Sequence, residues 1–327
     1  MNGMLLAAGF GERMEPLSTV VPKPALEVLG RPLLASALLN LSAAGCARVV
    51  VNLHRHPERV AAAARATHQG ALSFSWEPEL LGSAGGVSAA RPLLGDGPVL
   101  VGNADIWGEL DLRPLLGAGD AGTAVLALLP HPDPARWSSV VLGHDRCVDA
   151  FLAPGAAHSG ERFLFTGFQL LGAKVVASLP EPPATMAQAW EALRRLGALK
   201  GVVTPGSWRE AGTPAAYQAL VVGLLSHDRW IHPQAAVAPD ARVVRSAVGA
   251  GCRLAAGSAV YECVLTAGAI VGSGCELRSC VVAGPVTLTG AGAVADTVFL
   301  PEGRFPLRSI TAAPPPTAPT PASRAEP

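Results

Sequence analysis

The first 23 residues place two glycines and two cations directly after a short apolar run. The run MLLAAG ends at Gly9 and is followed by Gly11 and then by Arg13, and Lys23 lies between two prolines. Glycines let a backbone approach a ligand closely, and fixed cations attract an anion. Because only three of the 25 cationic residues are lysines, the point charge at position 23 indicates a specific need. The pattern predicts an anion-binding loop after a strand.

Two common phosphate-binding loops and the usual metal fingers are excluded by their spacing. A dinucleotide-binding loop needs a third glycine where this chain has Met14, and the G-K-[ST] of a P-loop is absent. The six cysteines form no CxxC pair and no zinc-spaced cluster with histidine. The anion site must therefore be built by another kind of loop.

Charge and hydropathy argue against a nucleic-acid or a membrane partner. The chain has 25 Lys and Arg against 25 Asp and Glu, so no basic excess favours nucleic acid or an anionic membrane. No apolar run approaches the roughly 18 residues of a membrane span, and MLLAAGF has no signal-peptide pattern around it. We expect a cytoplasmic protein without nucleic-acid or membrane partners.

Up to about residue 225, short apolar runs alternate with longer amphipathic ones, as in α/β folds. The predicted helices span residues 32–44 and 57–69. The predicted strands are MLLAAG, ARVVVNL, LSFSWEP, PVLVGNADI and TAVLALL. This pattern predicts a Rossmann-like, mixed but mostly parallel sheet flanked by helices, which binds ligands at the carboxyl ends of its strands.

From residue 231 the sequence repeats every 17 residues. Aliphatic residues recur in steps of six, six and five with small residues between them, which is the pattern of a hexapeptide parallel β-helix, here expected to be left-handed and short. The three sets are Ile231, Val248, Leu265, Val282; Val237, Leu254, Val271, Leu288; and Val243, Val260, Leu277, Val294.

The same register accounts for small polar residues and sets the domain boundaries. Ser246, Cys263, Cys280 and Thr297 share one phase of the repeat, so we expect them to stack in a structural ladder.

The predicted domains are a catalytic domain at 1–225, a β-helix at 226–305 and a disordered Pro/Ala-rich tail at 306–327. The β-helix offers a surface for packing, regulation or homo-oligomerisation.

The opening stretch resembles the signature of the sugar-1-phosphate nucleotidylyltransferases. LAAGFGERMEPLSTVVPKPA matches that signature, and four further segments follow in the family's order: SWEPELLGSAGGV, LVGNADIW, LFTGFQLL and SWREAGTPAAY. The resemblance covers about residues 1–222. It implies transfer of a nucleoside monophosphate from an NTP to a sugar 1-phosphate, with Mg²⁺ as cofactor.

The resemblance also implies roles for individual residues. It assigns catalysis to Arg13, Lys23 and Asp105, and the metal to Asp105 and Glu210. The residues expected at the nucleotide are Leu6, Ala7, Gly9, Gly11, Gly82 and Gly85. The residues expected at the sugar are Asn103, Thr166 and Gly167. This reaction needs positioning and charge neutralisation rather than a general base, because the attacking phosphate is already an anion.

Two departures from the family pattern leave alternatives open. Glu210 stands where an aspartate is usual, and the segment at residues 151–154 lacks the Glu and Lys that many relatives use at the sugar phosphate. The β-helix and GSAGG favour a mannose-1-phosphate guanylyltransferase type making GDP-mannose. GERM, LLGDGPVLVGNADIW and FTG favour an N-acetylmuramate-1-phosphate uridylyltransferase type, and other uridylyl- or thymidylyltransferases stay open.

Two other classes of function compete with a working transferase. A catalytically silent nucleotide-sugar-binding regulatory subunit would explain the two departures but not the retained Arg13, Lys23 and Asp105. An acyltransferase would need a histidine for proton abstraction within the β-helix. Only His227 and His232 lie near the coils, both at their start, which disfavours this activity.

Overall fold

The computed structural model describes residues 1–290 and 292–307. Of the tail predicted at 306–327, Pro306 is the last residue of a strand and Leu307 is also described, and the rest lies outside the described residues. Thirteen strands precede residue 211 in the described part. They are β1 (Asn2–Leu6), β2 (Glu27–Val28), β3 (Arg31–Pro32), β4 (Arg48–Leu53), β5 (Ala71–Trp76), β6 (Val99–Asn103), β7 (Ile106–Trp107), β8 (Ala124–Pro130), β9 (Ser139–Leu142), β10 (Val148–Leu152), β11 (Phe163–Leu171), β12 (Leu199–Val203) and β13 (Arg209–Glu210).

Nine α-helices accompany these strands in the described residues, and none is long and apolar enough to span a membrane. They are α1 (Leu17–Val20), α2 (Leu34–Ala43), α3 (Pro57–Thr67), α4 (Gly82–Ala89), α5 (Arg91–Leu94), α6 (Arg113–Leu116), α7 (Ala173–Ala177), α8 (Met186–Arg195) and α9 (Pro214–Gly223). The two predicted helices are α2 and α3. The start of α2 is later than predicted because Pro32 belongs to β3.

The five predicted strands, β1, β4, β5, β6 and β8, all lie in one nine-stranded sheet. Its order is β10-β9-β11-β6-β1-β4-β5, and β8 with β12 branches from β11. The strands from β6 to β5 are parallel, whereas β11 runs antiparallel to both β6 and β8. The long antiparallel β11 makes the sheet mixed, as predicted.

The register of the central strands brings two polar loops to the same edge. Leu6 at the end of β1 lies opposite Asn103 at the end of β6. Apolar clusters cover both faces of the sheet, one beneath α2 and α3 and the other beneath α4, α7 and α8. Since both faces are buried, the carboxyl edge is where a ligand can reach the strand ends.

The predicted repeat forms a parallel β-helix of three sheets. Its strands are β14 (Arg229–Ile231), β15 (Ala236–Val237), β16 (Arg242–Val244), β17 (Ser246–Val248), β18 (Arg253–Leu254), β19 (Ala259–Tyr261), β20 (Val264–Leu265), β21 (Ile270–Val271), β22 (Glu276–Arg278), β23 (Val281–Val282), β24 (Thr287–Leu288), β25 (Ala293–Ala295) and β26 (Thr297–Leu300). A final strand, β27 (Gly303–Pro306), pairs antiparallel with β26. The fold class predicted from the sequence is confirmed.

Every predicted 17-residue partnership is a strand pairing. Val243 pairs with Val260 and Val260 with Leu277, and the other two ladders pair in the same way. Each coil turns its shorter corner through a residue with positive φ, which turns the chain sharply and shortens that side by one residue. These residues are Arg245, Glu262, Ser279 and Asp296, again 17 apart.

The cysteine ladder is structural, as predicted. Ser246 Oγ accepts a hydrogen bond from the backbone of Cys263 at 2.9 Å, and Cys263 Sγ accepts one from the backbone of Cys280 at 3.4 Å. Both thiols are fully buried. The small side chains thus satisfy backbone donors between successive coils.

A third apolar core joins the coils to the catalytic region. It contains Met14 and Leu17 from the first loop, Tyr217 from α9, and Val281 and Val298 from the coils, all fully buried. Helix α9 begins at a proline and is capped by Thr213, whose hydroxyl accepts a hydrogen bond from the backbone of Ala216 at 3.1 Å. The coils therefore pack against the segment that carries the predicted anion-binding loop.

Candidate active site

A cleft of about 650 Å³ opens at the carboxyl edge of the sheet, next to the ends of β1 and β6. It is lined by all three residues predicted for catalysis, by five of the six predicted for nucleotide binding and by one of the three predicted for sugar binding. These are Leu6, Ala7, Gly9, Gly11, Arg13, Lys23, Gly82, Asn103 and Asp105. The topology thus brings together three segments that are far apart in the sequence.

The glycine loop turns sharply before it presents its first cation. Gly11 has a φ of 68°, in the left-handed region that favours glycine, and its carbonyl accepts a hydrogen bond from the backbone of Met14 at 2.8 Å. Met14 is fully buried, whereas the Arg13 side chain is 55% exposed. The buried methionine anchors the turn and directs the arginine outward to the cleft.

Lys23 and Asp105 form the more buried of two ion pairs at the cleft. Lys23 Nζ lies 2.7 Å from Asp105 Oδ2, and the lysine side chain is 11% exposed. Burial acts to raise the pKa of Asp105, but the charge and hydrogen bond of Lys23, together with the charge of Arg13, hold it below its usual value. Asp105 is therefore ionised at neutral pH.

Arg13 and Glu210 form the second ion pair. Arg13 Nη2 lies 3.2 Å from Glu210 Oε1, and the indole N–H of Trp137 donates to Glu210 Oε2 at 3.1 Å. Glu210 reaches the cleft because β13 pairs with β7, which starts directly after Asp105. The β7–β13 pairing therefore brings Glu210 and Asp105 to the same part of the site, where Arg13 bonds Glu210 and its charge acts on Asp105.

Asp105 and Glu210 are the two carboxylates of the site that could hold a magnesium ion together with substrate oxygens. Mg²⁺ prefers hard oxygen ligands and is commonly held by one or two carboxylates together with phosphate oxygens and water. Asp105 is ionised, and both acids carry a cation as neighbour, as expected where negative charge converges. Within the described residues no group of three or more His, Cys, Asp or Glu could hold a metal, so substrate oxygens would have to complete the coordination.

A buried network beside the cleft was missed by the sequence analysis. Asn52 Oδ1 accepts a hydrogen bond from the backbone of Ala7 at 2.6 Å, and its amide donates to Glu77 Oε1 at 2.7 Å. Glu77, 1% exposed, also accepts from the backbone of Leu81 at 3.2 Å. The network ties the end of β1 to the turn before α4. The sequence signal that could have indicated this network is Glu77, an acid that directly follows the apolar residues of β5.

The two glycines predicted for nucleotide binding on α4 have different surroundings. Gly82 lines the cleft and has a φ of 75°. A Cβ atom on Gly85 would lie 3.2 Å from backbone atoms of Pro182 and Ala184, so close packing accounts for this glycine. A role at the nucleobase stays a prediction for Gly82, whereas Gly85 lies behind it against residues 182–184.

The residues predicted for sugar binding lie beside one another on β6 and β11. Gly167 packs on Asn103, since a Cβ atom there would lie 3.3 Å from the Asn103 side chain. Thr166 is fully buried, and its hydroxyl donates to the carbonyl of Ala127 at 2.9 Å. Its own carbonyl accepts from the indole of Trp208 at 3.1 Å. The Thr166 side chain therefore points away from the cleft, and its predicted role would rest on the backbone.

Comparison with known proteins agrees with this geometry. The sequence model of the nucleotidyl transferase family matches residues 2–219. The chain is 33% identical over 233 residues to the N-acetylmuramate alpha-1-phosphate uridylyltransferase of Caulobacter vibrioides, which covers 65% of this chain and 92% of that protein. It is 29% identical over 226 residues to a mannose-1-phosphate guanyltransferase of Aspergillus fumigatus, covering 65% of this chain and 61% of that protein.

Among solved structures, HddC from Yersinia pseudotuberculosis superposes with a TM-score of 0.59 and 22% identity. The match covers 68% of this chain and 99% of that one, and it supports the fold alone. The family match spans the glycine loop, both ion pairs and the whole nine-stranded sheet. The resemblance seen in the sequence is therefore confirmed, and the chain belongs to the nucleotidyl transferase family of enzymes.

Proposed function

We propose that this protein transfers a nucleoside monophosphate group from an NTP to a sugar 1-phosphate and releases pyrophosphate. The observation that carries the proposal is the pairing of two cations with two carboxylates at the edge of a glycine-lined cleft. Cations can offset charge on the leaving pyrophosphate, and carboxylates can hold a divalent metal. The relatives named above carry out reactions of this type, as their names state.

The reaction balances without a protein nucleophile or base. An oxygen of the sugar phosphate forms a bond to the α-phosphorus of the NTP, and the bond from that phosphorus to the bridging oxygen breaks. The electron pair leaves with pyrophosphate, and no proton has to move because the attacking oxygen is already ionised. The protein therefore acts by alignment and by charge stabilisation.

Arg13 and Lys23 would carry most of the charge stabilisation. Each is held by a carboxylate across the cleft, so its position is fixed before substrate arrives. Backbone N–H groups of the loop at Gly9 and Gly11 would bind phosphate oxygens. Asp105 and Glu210 would hold Mg²⁺, which supplies charge neutralisation on the phosphates when bound.

Two substrate pairs follow from the relatives. GTP with mannose 1-phosphate is the pair predicted from the β-helix and the GSAGG segment, and its product would be GDP-mannose. UTP with N-acetylmuramate 1-phosphate is the second pair, supported by the relative that the alignment covers almost completely. We propose the cytoplasm as the location, because nucleotides and sugar phosphates are found there.

A matrix of pyrophosphate release would test the function. GTP, UTP, dTTP, CTP and ATP are each combined with mannose, glucose, N-acetylglucosamine and N-acetylmuramate 1-phosphates in the presence of Mg²⁺. We expect one strongly preferred pair and no turnover with EDTA. If every pair is silent while a nucleotide still raises the melting temperature, the protein is a binding subunit and not an enzyme of this type.

A further inference from the structure

The segment between β8 and β9 is held by its own hydrogen bonds and contacts Glu210. In residues 131–138, the Asp133 carbonyl accepts hydrogen bonds from the backbones of Arg136 and Trp137, and its carboxylate accepts one from the backbone of Ala135. His131 bonds the carbonyl of Ser138 through its ring at 3.1 Å. The positions of Arg136 and Trp137 are therefore set by the turn itself.

Trp137 connects this segment to the candidate site. Its indole N–H donates to Glu210 Oε2, and its ring packs edge-on against Trp208 with the centroids 5.3 Å apart. Trp208 in turn donates its indole N–H to the carbonyl of Thr166 on β11. The two rings thus lie between Glu210 and the strand predicted to contact the sugar.

Arg136 is an exposed cation stacked on this aromatic pair. Its guanidinium carbon lies 4.4 Å from the centre of the Trp137 ring. Among the described residues no carboxylate lies within ion-pair distance of Arg136, whereas Arg13 and Lys23 are both paired. A stacked guanidinium is held in one plane while the N–H groups along its edge stay free for an anion.

We infer that Arg136 binds an oxyanion of the sugar substrate, and this inference rests on the proposed function. The site already balances two carboxylates with two cations, and a sugar 1-phosphate brings further negative charge. Arg136 has no ion-pair partner among the described residues, and it stacks on the Trp137 ring that contacts Glu210. The oxyanion is either the phosphate on C1 or a carboxylate carried by the sugar ring, and both present oxygen pairs that suit a guanidinium.

The test is the steady-state kinetics of Arg136→Gln with three sugar phosphates and the preferred NTP. N-acetylmuramate and N-acetylglucosamine 1-phosphates share a ring, but only the first carries a carboxylate, and mannose 1-phosphate is the third substrate. We expect the KM of the sugar phosphate to rise about tenfold or more, with the KM of the NTP unchanged, because one charge-assisted hydrogen bond is lost.

The pattern across the substrates identifies the group that is bound. A rise for every sugar phosphate assigns Arg136 to the C1 phosphate, and a rise for N-acetylmuramate 1-phosphate alone assigns it to the carboxylate. Arg136→Lys should recover part of the loss. Arg48→Gln, an exposed cation at the opposite, amino end of β4, is the matched control and should leave all constants unchanged.

Two outcomes separate this inference from the proposed function. If the wild type is active and Arg136→Gln leaves every KM unchanged, or raises the KM of the NTP equally, the inference is wrong. If the wild type is inactive with every pair, the proposed function fails. Calorimetric titration of the same sugar phosphates into wild type and Arg136→Gln then decides the inference, which requires weaker binding to the variant.

Discussion

The catalytic region and the β-helix reach their structures through contacts of very different range. In the coils, side-chain to backbone bonds such as Cys263 to Ser246 join residues 17 apart. At the candidate site, Lys23 bonds Asp105 across 82 residues and Arg13 bonds Glu210 across 197. In the stacked coils each contact joins residues 17 apart, whereas the site forms only when the whole sheet has formed. The two regions should therefore respond differently to substitution.

The largest effect should come from the site and should leave the fold intact. Lys23→Met removes the buried cation, so we expect kcat to fall about 10³-fold, as when a preorganised charge partner of a transition state is lost. Pyrophosphate release with the preferred pair measures the change. The melting temperature should change little, because the Asp105 side chain is 28% exposed and can be hydrated.

Arg91→Met is the matched control for Lys23→Met. Arg91 also pairs with an acid, Glu181, at 3.6 Å, but it lies away from the cleft on α5. This variant should keep the wild-type rate. Equal losses in both variants, or full activity of Lys23→Met, would remove the catalytic role of the cleft pair.

In the β-helix, one substitution should have unequal effects in different coils. Val260 and Val294 occupy the same ladder, but Val260 is fully buried between neighbouring coils and Val294 is only half-buried in the last one. Val260→Ala should lower the free energy of unfolding by about 2 kcal/mol, and Val294→Ala by less than about 1 kcal/mol. Urea denaturation followed by circular dichroism gives both values.

The comparison of the two valines tests cooperative stacking. If each coil were stable by itself, both substitutions would cost the same free energy. Turnover of correctly folded Val260→Ala should stay near the wild-type rate at low temperature, because this ladder does not line the cleft. If Val260→Ala loses activity without losing stability, this ladder does not act on stability alone and the expectation is wrong.

These differences explain what the sequence could predict. The 17-residue period predicted every pairing within the three aliphatic ladders, because parallel stacking turns sequence spacing directly into contact. It did not predict the antiparallel pairing of β27 with β26. In the catalytic region, the apolar runs predicted five strands, and the motif predicted Lys23 and Asp105 at the cleft. The strand β11 matches the quoted segment LFTGFQLL, but its antiparallel direction and its neighbours β6 and β8 were not predicted, because no local pattern tells which strand lies beside it.

The missed site residues share a physical reason. Glu77 looks like a surface acid in the sequence, and its burial depends on the Asn52 amide and on the backbone of Leu81, which no spacing rule brings together. In the same way, nothing in the sequence around Trp137 indicates that its indole bonds Glu210 on β13. Polar contacts between distant loops depend on topology, so they follow from the fold and not from the motif.

Acid should weaken the cleft pair before it affects the apolar coils. The pKa of Asp105 is held below its usual value, so this pair stabilises the folded state above the unfolded pKa of about 4 and stops doing so as the pH falls through the lower folded value. Wild type should be more stable than Asp105→Asn at pH 7. The gap, within about a factor of ten in the unfolding equilibrium, should shrink below about pH 4.

Urea denaturation of the two proteins from pH 7 to pH 3 measures this gap. A gap that does not depend on pH would mean that the charge of Asp105 contributes nothing to stability. Glu302→Gln, which changes an exposed acid at the end of the coils, provides the control and should show a much smaller gap at every pH.

The smallest effect should come from a contact that joins the two regions. Thr19 lies on the helix α1 between Arg13 and Lys23, and its hydroxyl shares one hydrogen between the Pro16 carbonyl at 2.7 Å and Glu302 Oε1 at 2.9 Å. Glu302 lies in the turn between β26 and β27. Glu302→Ala removes one exposed hydrogen bond, so we expect the KM of the NTP to rise about threefold with little change in melting temperature. Steady-state kinetics of pyrophosphate release provides the measurement.

Glu276→Ala is the control, because Glu276 lies on β22 and bonds only the neighbouring Arg278 among the described residues. If both variants keep the wild-type KM, the coils influence the loop only through the apolar core of Met14, Leu17 and Val298. If only Glu302→Ala changes it, the last coil helps to position the segment between Arg13 and Lys23. In that case the β-helix affects the site through the turn between β26 and β27, because this turn contacts the segment between Arg13 and Lys23.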